Sequence, residues 1–295
     1  LVLGGHLDTV PVNDNGSARI EGDILWGLGA ADMKGGLAVL LDLARAVPEP
    51  AVDVTYVVYA RGEVAVEHNG LRELFAARPE LVAGDLAILG EPTSAAIEAG
   101  CQGTMRVEVT LAGERAHTAR AWMGRNAVHR LAPLLAAVDA YEPRQPVVEG
   151  CRYHEGLQVV HVEGGVAGNV VPDRAMVRVN HRFAPDRTTG EAVAHVRSVI
   201  DPHLADGDEV AVVDLSPAAR PGLDHPLLAP LVARDDLDVR AKLGWTDVAF
   251  FSEQGIPAIN LGPGDATLAH TRDERVDRAS IERVRLLLGE LLARH

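Results

Sequence analysis

The sequence predicts an α/β protein with a mostly parallel sheet and flanking helices, into which an α+β domain is inserted. Three observations predict this. The 295 residues suffice for one or two domains. Short apolar runs alternate with helical patterns in the first hundred residues and again after Pro217, as in parallel strands joined by helices. Between these stretches the strands are longer and alternate apolar with polar residues.

The predicted elements of the first stretch are a buried strand, a hairpin, a helix, a strand, a short helix and a further strand. They span residues 1–10, 18–26, 35–47, 52–59, 71–77 and 85–90. The first helix is opened by two glycines and carries its apolar residues at helical spacing. Ligands of such sheets bind beyond the carboxyl ends of the strands. The residues that follow each strand are therefore the candidates for function.

The middle of the chain is predicted to form a separate lid domain over residues 102–213. Its strands are expected at 105–111, 157–162 and 175–183, and its helices at 125–140 and 189–200. Prolines from Pro217 onward mark the return to the first domain, where a helix, a strand and a closing helix are predicted at 246–254, 258–261 and 281–293. The first domain is thus discontinuous, with residues 1–101 and 214–295.

Net charge, hydropathy and cysteine content limit the kinds of partner and cellular location that the sequence favours. The formal net charge of −14 disfavours a nucleic-acid partner, and no apolar run approaches the ~18 residues of a membrane span. Two cysteines without a CxxC pairing favour a reducing cytoplasm over a disulfide scaffold. The chain begins at Leu1, inside an apolar run without signal-peptide features, which predicts that its N-terminus is truncated.

Five potential metal ligands stand at predicted strand ends and loops. They are His6, Asp32, Glu63, Glu91 and His270. Any one of them alone is more often a capping or surface residue, but together they form a ligand set. Imidazole and carboxylate groups without cysteine suit zinc, cobalt or manganese, and one shared carboxylate can hold two ions roughly 3.5–4 Å apart. Five ligands can therefore serve two divalent ions.

His6 and Asp8 are expected to lie on the same face of the first strand. In that arrangement the carboxylate of Asp8 accepts the second ring hydrogen of His6 and fixes its tautomer.

Several sequence blocks resemble one known family. GGHLDTVP, GLGAADMKGG, GEPT and AHTRDE occur in the order and spacing of the co-catalytic zinc aminoacylase and carboxypeptidase family. EAGCQGTMRVEV, RAHTARAW, GGVAGNVVPD, GWTDVAFF and GIPAINLGPGD are similar to the succinyl-diaminopimelate desuccinylases within it, in particular the actinobacterial type. The resemblance covers essentially the whole chain.

The resemblance implies a role for each ligand. Asp32 bridges two zinc ions, for which cobalt can substitute. His6 and Glu91 complete one site, and Glu63 and His270 complete the other. The lid domain is implied to form a homodimer and to present substrate-binding residues, which by motif are His117, Asn169 and Arg182.

The sequence departs from the family motif at Gly62. Family members carry two adjacent acidic residues here, the first as general base and the second as metal ligand, whereas this chain has Gly62 followed by Glu63. The base position therefore lacks a carboxylate, and Glu67 is the other acidic residue nearby. Arg61 adds a positive charge, and Phe250 stands where relatives often carry arginine.

The resemblance implies hydrolysis of N-succinyl-LL-2,6-diaminopimelate to succinate and LL-diaminopimelate, in lysine and cell-wall precursor synthesis. An acetylornithine deacetylase-like deacylase is the enzymatic alternative. Loss of the base at Gly62 also fits a catalytically silent relative that still binds metals and ligands. A purely structural or interaction protein is disfavoured, because ligand side chains are costly to bury without a cation.

Overall fold

A computed structural model describes residues 1–293 of the chain. The chain forms two compact units. The first contains residues 1–101, 148–151 and 219 onward, and the second contains residues 102–147 and 152–218.

The elements are numbered in chain order. The strands are β1 (Val2–His6), β2 (Arg19–Glu21), β3 (Ile24–Trp26), β4 (Thr55–Tyr59), β5 (Ala87–Leu89), β6 (Ile97–Ala99), β7 (Gly103–Ala112), β8 (Val147–Val148), β9 (Cys151–Arg152), β10 (Gly156–Gly164), β11 (Arg174–Phe183), β12 (Glu209–Ser216), β13 (Val239–Ala241), β14 (Ala258–Asn260) and β15 (Arg275–Asp277). The α-helices are α1 (Gly35–Ala46), α2 (Gly70–Ala77), α3 (Leu131–Asp139), α4 (Thr189–Ile200), α5 (Ala229–Val232), α6 (Val248–Glu253) and α7 (Arg278–Ala293).

The first unit is built on a sheet with the strand order β13-β6-β14-β5-β1-β4. All neighbouring strands run parallel except β14 and β6, which are antiparallel. The predicted mostly parallel α/β sheet is therefore confirmed. Because β5, β1 and β4 are adjacent and parallel, the chain leaves all three at the same edge of the sheet.

Alternating side chains of the strands bury two apolar clusters, one for each face of the sheet. Leu3 of β1 packs in one cluster with α1 and α7, while Val2 packs in the other with α2 and α6. None of the helices within residues 1–293 is long and apolar enough to cross a bilayer.

Glycines let α1 approach the end of β5 closely. A Cβ atom on Gly36 would lie 2.0 Å from the carbonyl oxygen of Gly90, so no larger residue fits at this helix turn. This contact places the start of α1 beside Glu91, the residue after Gly90.

The second unit is an antiparallel sheet with the order β10-β11-β7-β12, and α3 and α4 cover its apolar side chains. The predicted start of α3 at Arg125 is wrong, since the helix begins at Leu131. Pro133 explains the difference. Proline is tolerated in the first turn of a helix but breaks its interior, so the helix starts where Pro133 falls in the first turn.

Candidate metal centre

The five predicted ligands come together at the edge of the sheet where β1, β4 and β5 end. His6 is the last residue of β1, Glu63 follows β4 by four residues, and Glu91 follows β5 by two. Asp32 lies in the irregular segment of residues 30–34, immediately before α1, and its own backbone is not helical. His270 lies in the loop between β14 and β15.

Asp32 stands between the two histidines. Its Oδ1 atom is 3.4 Å from Nε2 of His6, and its Oδ2 atom is 3.4 Å from Nε2 of His270. Each carboxylate oxygen thus faces a different imidazole. This is the arrangement expected of a carboxylate shared by two cations.

The remaining carboxylates each lie near one or both histidines. Oε1 of Glu63 accepts a hydrogen bond from Nε2 of His270 at 3.0 Å and lies 4.0 Å from Nε2 of His6. Oε1 of Glu91 is also 4.0 Å from Nε2 of His6. Glu91 therefore lies beside His6, whereas Glu63 lies near both histidines.

The site concentrates charge in a largely buried place. Burial alone would lower the pKa of His6, but Asp32 and the charges of Glu91 and Glu63 raise it to about 10. Contact with Asp32 and Glu63 raises the pKa of His270 to about 9. Burial and the charge of Asp32 raise the pKa of Glu91 to about 8, whereas the two histidines hold the pKa of Asp32 well below its usual range.

These residues fit a metal site. One ligand atom from each of His6, Asp32 and Glu63 lies within 4.8 Å of the other two. A tetrahedral zinc ion with ligands at roughly 2.0–2.2 Å separates them by roughly 3.3–3.6 Å, close to the observed spacing. Oδ1 of Asp32 is buried without a hydrogen-bond partner among the described residues, and a cation would satisfy it.

Asp8 contacts the site differently from the prediction. Because β1 ends at His6, Asp8 lies in the following loop, and Nδ1 of His6 is 3.1 Å from the main-chain carbonyl oxygen of Asp8 and 3.6 Å from Oδ1 of its carboxylate. A carbonyl acceptor at Nδ1 still directs Nε2 toward the other carboxylates. The Asp8 carboxylate instead accepts hydrogen bonds from the main-chain N–H groups of Gly62 and Glu63, at 2.9 and 3.0 Å.

Gly62 lies directly against the ring of His6. A Cβ atom at Gly62 would be 2.5 Å from Cγ of His6 and 2.6 Å from its Cβ. Arg61 adopts a left-handed backbone with a φ of 66°, and its guanidinium forms an ion pair with Glu73 of α2. The charge of Arg61 is therefore paired with a carboxylate.

Asp247, from the GWTDVAFF block, supports the loop that carries Glu63. It is buried and accepts hydrogen bonds from the hydroxyl of Tyr59, the last residue of β4, at 2.5 Å and from Nδ2 of Asn69 at 2.9 Å. Asn69 also caps α2. Burial raises the pKa of Asp247 to about 6, although the hydrogen bonds from these two donors lower it. Its position within the GWTDVAFF block was the signal in the sequence, but the block did not indicate a role for it.

The predicted substrate residues lie in the second unit. The main-chain N–H of Thr118 donates to the carbonyl oxygen of Asn169 at 3.0 Å, which brings His117 and Asn169 to neighbouring segments. Both of these side chains are exposed, whereas Arg182 is half-buried on β11. Phe250, in the first unit, is buried and packs edge-on against Trp245.

The chain is similar to known proteins over nearly its whole length. A protein of Mycobacterium tuberculosis named DapE is 48% identical over 295 residues, which cover 98% of this chain and 82% of that protein. A succinyl-diaminopimelate desuccinylase of Corynebacterium glutamicum is 45% identical, with 99% of this chain and 80% of that protein covered.

Solved structures share the fold. A tripeptidase from Staphylococcus aureus superposes with a TM-score of 0.78 at 20% identity, covering 99% of this chain and 79% of that one. The metallo-carboxypeptidase Sso-CP2 from Sulfolobus solfataricus gives a TM-score of 0.76 at 18% identity, covering 99% and 84%. The model of one family, described as peptidase family M20/M25/M40, matches residues 2–294. The chain therefore belongs to peptidase family M20/M25/M40, a family of metal-dependent hydrolases.

Proposed function

We propose that the chain hydrolyses the amide bond of N-succinyl-LL-2,6-diaminopimelate to succinate and LL-diaminopimelate, using two zinc ions that cobalt can replace. The observation that carries the metal-dependent reaction is the position of Asp32, whose two oxygens each lie 3.4 Å from a different histidine. The names of relatives at 45% identity and above support the substrate.

His6, Asp32 and Glu91 would hold one ion, and Asp32, Glu63 and His270 the other. When bound, such a pair polarises the amide carbonyl and lowers the pKa of water. The carbonyl oxygen of Asp8 orients the ring of His6, and the carboxylate of Asp8 fixes the main chain at Glu63. Both contacts hold ligand atoms in place before the reaction begins.

In the lid, we propose that His117, Asn169 and Arg182 bind the substrate. An imidazole, an amide and a guanidinium match an acyl amino acid with several carboxylates, because arginine pairs with carboxylates in a bidentate way. The motif resemblance and the similarity of the whole chain to a desuccinylase support this assignment.

Succinate release from N-succinyl-LL-diaminopimelate by the purified chain with added zinc tests the proposal. We expect slow turnover that a chelator abolishes and that zinc or cobalt restores. N-acetylornithine, incubated in parallel, separates the desuccinylase from an acetylornithine deacetylase-like enzyme. Faster release of acetate than of succinate would reject the proposed substrate.

Gly62 favours a second candidate function. With glycine in the base position and Glu63 bonded to His270, no carboxylate at these two positions is free to shuttle a proton. A catalytically silent protein that binds metals and acyl amino acids is therefore the alternative. Stoichiometric metal binding without any succinate release, in the parent and in variants with a restored base, would identify it.

We further propose that residues 102–213 act as a lid and pair two copies of the chain in a homodimer. The family resemblance supports this, as do Val160 and Val162, which are exposed on β10 at the edge of the second unit's sheet. Light scattering is expected to give twice the mass of one chain, and a monomer would reject the dimer. Free thiols at Cys101 and Cys151 support a cytoplasmic location, which fractionation of source cells would test.

A further inference from the structure

Glu274 is a buried carboxylate next to the metal centre that the proposed chemistry does not use. It lies four residues after His270 and directly before β15, and it is 1% exposed. β15 pairs with β3 so that Arg275 faces Trp26, and the carbonyl oxygen of Glu274 accepts the N–H of Gly27 at 3.1 Å. This pairing brings the loop of His270 against the loop of Asp32.

The side chain of Glu274 reaches the main chain of the shared ligand. Its Oε1 atom accepts hydrogen bonds from the N–H groups of Ala31 and Asp32, at 3.1 and 3.0 Å. Ala31 is fully buried, so its N–H has no access to water. Loss of this acceptor would leave the buried N–H of Ala31 and the partly buried N–H of Asp32 unpaired, which is unfavourable.

The contact determines where the Asp32 carboxylate can lie. Two adjacent N–H groups held by one oxygen fix the orientation of the two successive peptide planes that lead into Asp32. A similar contact occurs at Asp8, whose two carboxylate oxygens accept the N–H groups of Gly62 and Glu63, one each. Two ligand-bearing loops are thus each anchored by a carboxylate that is itself not a ligand.

We infer that Glu274 is a positioning residue, which orients Asp32 through its main chain and so sets the affinity of both proposed metal sites. The inference rests on the proposed ligand set. In this role the side chain of Glu274 acts by accepting two hydrogen bonds at the right distance, not by supplying negative charge.

Three substitutions distinguish the effect of the length of the Glu274 side chain from the effect of its charge. Glu274→Gln keeps the length and the carbonyl acceptor but loses the charge, whereas Glu274→Asp keeps the charge and draws the acceptor back by one methylene. Glu274→Ala removes both. Cobalt affinity, followed by titration calorimetry and by the visible spectrum of the bound ion, should fall about 10–100-fold in the Ala and Asp variants and remain near the parent value in the Gln variant.

A carboxylate of the same segment serves as the matched control. Asp277 accepts the N–H of Ser280 at 2.7 Å at the start of α7 and is exposed. Asp277→Asn should leave cobalt affinity and spectrum unchanged, because asparagine serves equally well at a helix N-terminus.

The comparison of Gln with Asp decides the inference even if Glu274→Ala fails to fold. Tighter cobalt binding by Glu274→Asp than by Glu274→Gln would overturn it, as would parental affinity in the folded Asp or Ala variant. If the parent chain binds no cobalt, the proposed metal centre itself fails and the inference falls with it. Parental binding together with an unaffected Glu274→Asp variant would refute the inference alone.

Discussion

Gly62→Glu is expected to release succinate about 10²–10⁴ times faster than Gly62→Ala, the gain that a positioned general base typically supplies. Both variants place a Cβ atom against His6, at about the same 2.5 Å from its ring that forces a shift of the ring or the loop. Because this crowding is common to the two variants, their ratio isolates the carboxylate. Initial rates with saturating N-succinyl-LL-diaminopimelate and saturating zinc provide the measurement.

Saturating zinc also keeps the metal sites filled in both variants, even if a displaced His6 ring weakens metal binding. A distorted ligand costs about 10–100-fold in affinity, which excess metal compensates. The Glu variant should therefore exceed the parent as well, while the Ala variant should not.

Two results would contradict the role assigned to position 62. Equal rates for the Glu and Ala variants would mean that a carboxylate at this position does not reach the reacting atoms. A parent as fast as the Glu variant would mean that another group carries the proton, and Glu67→Gln in the parent would then test the nearest acidic candidate in the sequence.

The convergence of three of the proposed metal ligands was predictable because they lie at or just after the ends of strands. Adjacent parallel strands release the chain at one edge of a sheet, so His6, Glu63 and Glu91 converge once β1, β4 and β5 are neighbours. Asp32 and His270 lie in loops far apart along the chain, and the roles proposed for them rest on the family motifs.

The supporting contacts were not predictable from periodicity or motif spacing. The acceptor at Nδ1 of His6 depends on the path of the chain after β1, which brings the carbonyl oxygen of Asp8 to the ring. The anchoring of Asp32 by Glu274 depends on the register of β15 on β3. A hydrogen bond across 242 residues leaves no local pattern in the sequence. By contrast, Pro133 could have shown where α3 begins.

Zinc affinity is expected to rise steeply with pH, because the metal must displace protons from its own ligands. His6 and His270 have pKa values of about 10 and about 9, and Glu91 has a pKa of about 8. All three lie above 7, so the metal-free site is protonated at neutral pH, whereas zinc binds only the deprotonated forms. At least two protons should leave when the site fills at pH 7.

The direction and size of the pH dependence of zinc affinity follow from this proton count. Each released proton adds one power of ten in affinity per pH unit, so two protons make binding about 10⁴-fold tighter at pH 8 than at pH 6. Titration calorimetry at one pH in two buffers of different ionisation enthalpy counts the protons directly. His129, an exposed histidine of the second unit, provides the control, since His129→Ala should release the same number. Release of one proton or none would show that His6 and His270 are not both protonated in the metal-free site at pH 7, and the raised pKa values assigned to them would be wrong.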